Sequence, residues 1–166
     1  MELMAKEVDI TPIASPIVQT SDTRFGTAEQ FMRDMERISG RAPIKTVVEA
    51  EPIGPKALFD ALVIAPCTGN TLAKIANGIT DTAVTMAAKA HLRCDRPLLI
   101  ALASNDAMSQ NLGNIAKLLT RKSVYFVPLS QDDPIGKPHS LVADFSRLGD
   151  AFSKMREGKQ LRPLFL

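Results

Sequence analysis

Three short apolar runs without polar alternation stand out along the chain, at residues 61–65, 98–103 and 124–127. A strand that is apolar on both faces belongs in the middle of a sheet that helices cover on both sides. These runs therefore predict three central strands. Two weaker strand candidates lie at residues 8–18, where two prolines favour an edge or a loop, and at residues 44–48.

Helical spacing fills the segments between these runs. Thr27 and Gln30 form a capping-box pattern that opens a helix over residues 28–39, and Gly40 provides its C-terminal stop. Alternating strands and helices predict an α/β fold, with a doubly wound, mostly parallel sheet in a flavodoxin-like or Rossmann-like three-layer sandwich. Four further helices are predicted over residues 70–76, 83–93, 109–121 and 140–157.

Composition and charge favour a single globular domain over residues 1–166. The chain has a mass of 18.0 kDa, and 20 basic against 18 acidic residues leave a net charge of +2. A balance this close argues against a surface that coats nucleic acid. The N-terminus lacks the apolar core of a secretory signal, and no window approaches the roughly eighteen apolar residues of a membrane span. We therefore expect a soluble, cytoplasmic protein.

Polar residues follow two of the predicted central strands. In a parallel α/β sheet, ligands bind beyond the carboxyl ends of the strands, where loops lead into helices. Small and hydroxyl residues there let a ligand approach the backbone, and the first N–H groups of the next helix favour an anion. Two turns with good helix caps are one interpretation, but loops at neighbouring strand ends favour a shared site. Its candidate cofactor-binding residues are Pro66, Thr68, Gly69, Asn70, Thr71, Ser104, Asn105 and Asp106.

A third polar stretch, residues 131–139, follows the last apolar run. Its two carboxylates and Lys137 are suited to closing over a ligand or meeting a second subunit, although a solvated turn shaped by two prolines is the favoured interpretation. Asp132 and Asp133 point apart on an extended chain, so they do not predict an acid–base pair. His139 is the better functional candidate of the two histidines because it lies in this stretch.

The two cysteines and two histidines are too few and too dispersed to predict a metal site. Cys67 lies at a predicted helix N-terminus, where a thiolate is favoured, but a small residue that fills a tight loop is the stronger interpretation. His91, late in an alanine-rich helix, is expected at the surface or at an interface. The sequence predicts no particular catalytic acid or base.

Residues 65–79 resemble the P-A-S/T-A-N-T segment of the flavoprotein family, which includes phosphopantothenoylcysteine decarboxylase, the peptide-cysteine decarboxylases and flavin prenyltransferase. Residues 104–108 resemble the second motif of that family, P-A-M-N-x-x-M, in position. A closer resemblance covers nearly the whole chain and is to the B subunits of dipicolinate synthases from spore-forming bacteria. The strings that carry it are residues 20–26, 49–56, 81–89, 104–107 and 131–138.

This resemblance implies an oxidoreductase subunit that helps oxidise a dihydrodipicolinate-type intermediate to dipicolinic acid during sporulation, in the cytoplasm of the mother cell. It also implies a nicotinamide-binding A subunit as partner, which carries NAD(P), and a homo-oligomer that is either a trimer or a dodecamer. FMN is the cofactor that the family implies. Residues 68–71 would then face the flavin or the substrate carboxylates, and residues 104–106 would line the same cleft.

Two features depart from the family pattern. The decarboxylases carry a histidine shortly before the strand that leads to the first motif, and residues 47–60 contain none. The family also begins with a strand and a Gly/Ser-rich loop that cradles the flavin phosphate, whereas the pattern here starts in the following helix. We therefore expect a sheet without that strand and loop. Two alternatives stay open: a non-catalytic subunit that binds a ligand or stabilises the partner, and a flavin-dependent decarboxylase or prenyltransferase.

Overall fold

The computed structural model describes residues 1–2 and 4–166, and this part contains five strands, seven α-helices and three short 3-10 helices. The strands are β1 (Leu62–Thr68), β2 (Leu98–Ser104), β3 (Val124–Phe126), β4 (Leu129–Ser130) and β5 (Leu141–Ala143). The helices are α1 (Pro16–Thr20), α2 (Ala28–Ser39), α3 (Val47–Ala50), α4 (Gly69–Ala76), α5 (Ala83–Leu92), α6 (Leu112–Leu119) and α7 (Leu148–Arg156). The 3-10 helices are Met4–Lys6, Glu51–Ile53 and Phe145–Arg147.

The sheet is built around β2. This strand pairs in parallel with β1 on one side and with β3 on the other, and its last two residues pair antiparallel with β5. All of residues 98–102 are buried, so both faces of β2 are covered. Continuous burial of this kind is what an uninterrupted apolar run predicts. The α/β fold with a mostly parallel sheet is thereby confirmed.

Helix α2 begins and ends at the predicted residues. The Thr27 hydroxyl accepts a hydrogen bond from the backbone N–H of Gln30, and Gly40 takes the left-handed conformation that ends the helix, with φ of +66°. A side chain at that φ is strained, which is why glycine is common there. The helix packs mainly on α1, and Ala28 is its one buried residue.

Both of the weaker strand predictions are wrong. Residues 8–18 contain no strand, because Ile13 makes only an isolated bridge to Ile44 and the chain turns into α1 from Pro16 onwards. Residues 44–48 lead instead into α3, whose Thr46 and Glu49 form a reciprocal capping box. Local capping therefore outweighs the extended tendency of these β-branched residues.

The predicted helix over residues 140–157 is wrong at its beginning. Residues 141–143 form β5, which fills the space between the end of β2 and β4, and helix α7 starts only at Leu148. The strands β4 and β5 were not predicted. Both are two or three residues long, and they owe their conformation to pairing across the sheet rather than to local sequence.

The sheet topology brings three polar loops to one edge. Residues 68–71 and 104–111 leave the carboxyl ends of the parallel strands β1 and β2. Because Leu141 pairs with Ser104, the stretch that joins β4 to β5 lies at that same edge. This is the edge where ligands bind in open α/β sheets.

Candidate functional site

The end of β1 presents small and hydroxyl side chains to solvent. Ala65, Pro66 and Thr68 are exposed, although the strand lies against the centre of the sheet. The Thr68 hydroxyl caps helix α4 by accepting a hydrogen bond from the Thr71 backbone N–H at 3.3 Å, and it lies 3.2 Å from the Thr71 hydroxyl. Asn70 is exposed in the first turn of the helix. The strand therefore offers an open platform edged by hydrogen-bonding groups.

Gly69 is the contact point between the two strand-end loops. A Cβ atom on this residue would lie 2.5 Å from the Ser104 hydroxyl, 2.7 Å from the Asn111 amide nitrogen and 3.0 Å from a carboxylate oxygen of Asp106. Only glycine lets the loops approach this closely. Gly69 and Ser104 are both buried, so they support the site rather than line its surface.

Asp106 is the centre of the loop after β2. Its Oδ1 accepts hydrogen bonds from the Ser104 hydroxyl at 2.5 Å and from the Asn111 amide at 2.9 Å. These two hydrogen bonds hold the pKa of Asp106 below its ordinary value, and the one from the Ser104 hydroxyl has the larger effect. Asp106 and its neighbour Asn105 are exposed, so a carboxylate that stays ionised faces the solvent at the strand end.

A chain of carboxamides extends from this carboxylate to the side of the molecule. The buried Asn111 accepts from Asn114 at 3.0 Å, and Asn114 accepts from Asn77 at 3.1 Å. Asn77 in turn accepts a 2.8 Å hydrogen bond from the Lys117 ammonium. This chain ties the C-terminal end of α4 to α6. Sequence reasoning missed these residues, and the only available signal was the spacing of Asn111, Asn114 and Lys117 on one face of a predicted helix.

The loop between β4 and β5 is closed by its own polar groups. Asp132 accepts hydrogen bonds from the Lys137 ammonium at 2.8 Å and from the buried Ser140 hydroxyl at 2.6 Å. Asp133 accepts from the Gly136 backbone N–H at 2.8 Å. The two carboxylates thus have separate hydrogen-bond partners.

This loop also contacts the loop after β2. The backbone N–H of Met108 donates to the carbonyl oxygen of His139 at 2.9 Å. His139 itself is exposed. All three polar loops at this edge are therefore joined, first through Gly69 and then through Met108.

The cysteines and the second histidine take no part in the site. Cys67 is fully buried at the end of β1, and burial raises its thiol pKa to about 12, which removes any thiolate at neutral pH. The surface position expected for His91 is wrong, because the ring is buried and its Nε2 lies 3.0 Å from the carbonyl oxygen of Pro97. Burial is the main cause that lowers the His91 pKa below its ordinary value.

Neither a metal centre nor a membrane segment is found in the part of the chain that the structure describes. No cluster of three metal-ligating side chains occurs there. Among the same residues, every helix is too short or too polar to cross a bilayer.

The exposed groups at the strand ends fit the ring of a flavin. Hydroxyl and carboxamide groups are neutral donors and acceptors, which suit the carbonyl and N–H positions along the polar edge of an isoalloxazine. The platform of Ala65 and Pro66 carries no bulky side chain that would block a flat ring. None of the eight candidate residues is a lysine or arginine, so they match the uncharged ring better than a phosphate.

Comparison with known proteins places the chain in a class. The model of the Flavoprotein family matches residues 3–151, so the chain belongs to that family. Within it, the chain is 38% identical over 165 residues to the B subunit of dipicolinate synthase from Bacillus subtilis, covering 99% of this chain and 82% of the relative. The crystal structure of the corresponding B subunit from Bacillus halodurans is similar with a TM-score of 0.86 and 36% identity, covering 100% of this chain and 91% of that one.

A more distant structure extends the comparison. A dodecameric FMN-dependent UbiX-like decarboxylase from Escherichia coli O157:H7 is 26% identical, with a TM-score of 0.51 over 58% of this chain and 52% of that chain. The predicted family and the predicted flavodoxin-like three-layer fold are confirmed by these similarities.

Proposed function

We propose that this chain acts as the B subunit of a dipicolinate synthase. In this role it binds the ring of FMN and a cyclic dicarboxylate at the ends of β1 and β2, and it helps oxidise a dihydrodipicolinate-type compound to dipicolinic acid. The observation that carries the proposal is the close contact of two polar strand-end loops at Gly69. The similarity to the B subunits of dipicolinate synthases over nearly the whole chain supports the choice of substrate.

Each candidate residue has a role in this proposal. Thr68, Asn70, Thr71 and Asn105 offer the hydrogen bonds that orient the flavin ring and the substrate. Gly69 and Ser104 hold the two loops together, while Pro66 forms part of the platform under the ring. Asp106, kept ionised by Ser104 and Asn111, is the one carboxylate of the eight candidate residues.

The reaction removes a hydride and a proton from the substrate ring, which becomes aromatic. A flavin held by Thr68, Asn70, Thr71 and Asn105 would supply a two-electron acceptor, and NAD(P) on the A subunit would be the final oxidant. The Asp106 carboxylate accepts the proton. Both of its side-chain hydrogen bonds end on Oδ1, so Oδ2 is the oxygen that remains for this transfer. Loss of this proton produces an aromatic ring, so a weak base with a low pKa suffices.

Reconstitution with the A subunit tests the proposal. We expect dipicolinate formation, followed by its ultraviolet absorbance, to require both chains. Asn70→Ala and Asn105→Ala should each lower kcat/KM by about tenfold or more while the complex still assembles. Full activity from the A subunit alone, unchanged when this chain is added, would refute the proposal.

The same experiment separates the alternatives. If both asparagine variants keep full turnover while removal of the whole chain abolishes it, the chain is a non-catalytic subunit that binds a ligand or stabilises the partner. The absence of a histidine from residues 47–60 argues against a decarboxylase that uses the mechanism of the family. Activity on a decarboxylase substrate without the A subunit would reverse that conclusion.

The assembly and setting are also part of the proposal. We infer a trimer or dodecamer, since a relative with the same fold is dodecameric. Light scattering on the purified chain, alone and with the A subunit, measures this directly. A fluorescent fusion followed through sporulation should appear in the mother-cell cytoplasm.

A further inference from the structure

A pocket of about 120 Å³ lies at the end of helix α4 that is remote from the strand ends. Its walls come from the C-terminal end of α4, the loop that follows, helix α5 and the residue after the cap of α6. Helix α4 begins at Gly69 in the candidate site and runs to Ala76, so roughly 10 Å of helix separates the two places. The pocket is therefore distinct from the loops at the ends of β1 and β2.

One part of the pocket wall is apolar. Ile75 and Leu92 line it and are buried, while Ile79 lines it and is 48% exposed. An isoleucine that leaves half of its surface open beside a pocket offers apolar area that a ligand would remove from water. This wall is suited to the organic part of a small molecule.

Two cations line the same pocket. Lys89 comes from helix α5 and Arg121 from the segment after α6. Among the described residues, neither side chain takes part in an ion pair. Neither of them donates a side-chain hydrogen bond to a helix carbonyl there either. The ammonium and the guanidinium are thus both left for a ligand.

Thr80 adds two further donors to the pocket wall. The residue is half-buried, and across the part of the chain that the structure describes neither its backbone N–H nor its hydroxyl has a hydrogen-bond partner. A partly buried N–H without a protein partner is a group that a bound ligand satisfies. None of the eight residues that line the pocket is acidic, so the donor set is suited to an anion.

Two carboxylates near the pocket are balanced by cations of their own. Asp81, which follows Thr80, forms an ion pair with Lys74 at 2.7 Å. Asp95, in the turn after α5, forms one with Lys122 at 2.9 Å. These pairs leave the charges of the pocket-lining cations uncompensated.

A third carboxylate, Glu51, lines a separate groove together with Lys89 and Arg93. It offsets one of these two cations, which leaves the other and Arg121 in excess. Five cations and three carboxylates border this region in all, an excess of two positive charges. That excess equals the net charge of +2 of the whole chain, so the positive charge is concentrated around this pocket.

We propose that this pocket binds the phosphate group of a small organic phosphate monoester. Such a group carries about −1.5 to −2 charges at pH 7, and its three terminal oxygens point in different directions. This shape matches donors from three separate segments, at Thr80, Lys89 and Arg121, whereas a planar carboxylate has only two oxygens. Arg121 offers a planar fork for two oxygens and Lys89 a point charge. The inference goes beyond the proposed function and does not depend on it.

Calorimetry at constant ionic strength tests the assignment. The full chain is titrated with phenyl phosphate, inorganic phosphate and benzoate. We expect phenyl phosphate to bind more tightly than inorganic phosphate, because its ring covers Ile79, and about tenfold or more tightly than benzoate. Arg121→Gln and Lys89→Gln should each weaken the binding of phenyl phosphate by about tenfold or more, since each removes a charged donor. Equal affinities for phenyl phosphate and benzoate would overturn the choice of phosphate.

A matched control removes the same charge one residue away. Lys122→Gln takes away an ammonium that is already paired with Asp95, and it should change the affinity for phenyl phosphate by less than about twofold. Thermal unfolding of each variant checks that the fold is intact. Equal losses for Lys122→Gln and Arg121→Gln would reduce the effect to a general attraction between charges and overturn the site.

Riboflavin separates this pocket from the candidate site, because it carries the flavin ring without a phosphate. A saturating concentration of it should leave the affinity for phenyl phosphate unchanged. A competition between the two ligands would place phenyl phosphate at the strand ends and overturn the proposal of a second site. If the wild type binds no phenyl phosphate at all, the pocket proposal fails while the proposed function stands.

Discussion

The loops after β1 and β2 have similar polar compositions but use their polar groups in different ways. After β1, helix α4 begins at once, and a single hydroxyl of Thr68 caps it while Asn70 stays exposed. After β2, residues 105–111 intervene, and Ser104 and Asn111 both turn towards Asp106. The first loop leaves the Asn70 side chain exposed to solvent, whereas the second uses most of its hydrogen-bonding groups to hold its own structure.

Polar residues at a strand end therefore have two distinct roles: some stabilise the loop, and others are exposed to solvent. The network around Asp106 fixes the position of one carboxylate and supports the neighbouring loop through Gly69. The loop after β1 is then held at a defined place, while the Asn70 side chain stays exposed to solvent. Variants that damage the network should therefore cost more stability than variants at the exposed loop.

A substitution at Gly69 should have the largest effect on the free energy of unfolding. Gly69→Ala would place a methyl group within 2.5 Å of the Ser104 hydroxyl, so the side chains of Ser104, Asn111 and Asp106 must shift and strain their hydrogen bonds. We expect a loss of about 1–3 kcal/mol in the free energy of unfolding, measured with urea. Gly113→Ala is the matched control, since nothing lies within 4 Å of its Cβ position in helix α6, and it should be neutral or stabilising by up to about 1 kcal/mol. Equal effects of the two substitutions would contradict the close contact.

The buried amide of Asn111 comes next. Asn111→Ala removes a donor to Asp106 and leaves the Asn114 amide without its acceptor, so we expect a loss of about 1–3 kcal/mol. Its side chain does not cap α6, which separates this loss from a capping effect. Asn114→Ala, at a half-buried position, should cost less in the same urea titration. The reverse order would show that the network does not centre on Asp106.

The cap at Thr68 belongs to the exposed loop and should cost less. Thr68→Ala removes the acceptor for the Thr71 backbone N–H, which is worth about 1 kcal/mol at a typical helix N-terminus. Thr68→Ser keeps the oxygen and should retain most of the stability. A serine variant as unstable as the alanine variant would assign the effect to the lost methyl group instead.

The smallest effect is on the pH dependence of stability. The folded pKa of Asp106 is below its unfolded value of about 3.9, so the folded state binds fewer protons there and its contribution is complete above that value. That contribution is lost as the pH falls towards the folded pKa. Urea unfolding at neutral pH and near pH 3 should therefore show a smaller acid-induced loss for Asp106→Asn than for the wild type. Identical losses would mean that the folded pKa of Asp106 is not lowered.

Much of the central sheet could be predicted because its strands are continuous apolar runs. The pairing of residues 141–143 could not, since their apolar spacing also matches a helix and only the neighbouring backbone of β2 decides the outcome. His91 is a similar case, because its burial depends on the carbonyl of Pro97, which the turn after α5 brings within 3.0 Å. A local sequence pattern does not determine which distant segments pair in the sheet.

The sequence predicts the two loops of the candidate site, but it does not predict which of their side chains are buried and which are exposed. Hydroxyl and amide residues after apolar strands indicate the edge of the sheet at which the two loops meet. Nothing in the sequence says that Ser104 turns inward while Asn105 stays exposed, because that depends on how closely Gly69 lets the loops approach. Whether these residues bind a cofactor stays a prediction.

The irregular register of β1 has a chemical consequence. Ile64 and Cys67 pair with Ile100 and Leu102, so three steps along β1 correspond to two along β2. In a strand where alternate side chains face opposite ways, one extra residue reverses the facing of everything that follows. This insertion turns the sulfur of Cys67 into the core and the hydroxyl of Thr68 out to the open edge. A single inserted residue thus determines that the end of β1 presents a hydroxyl group to solvent and keeps the thiol in the core.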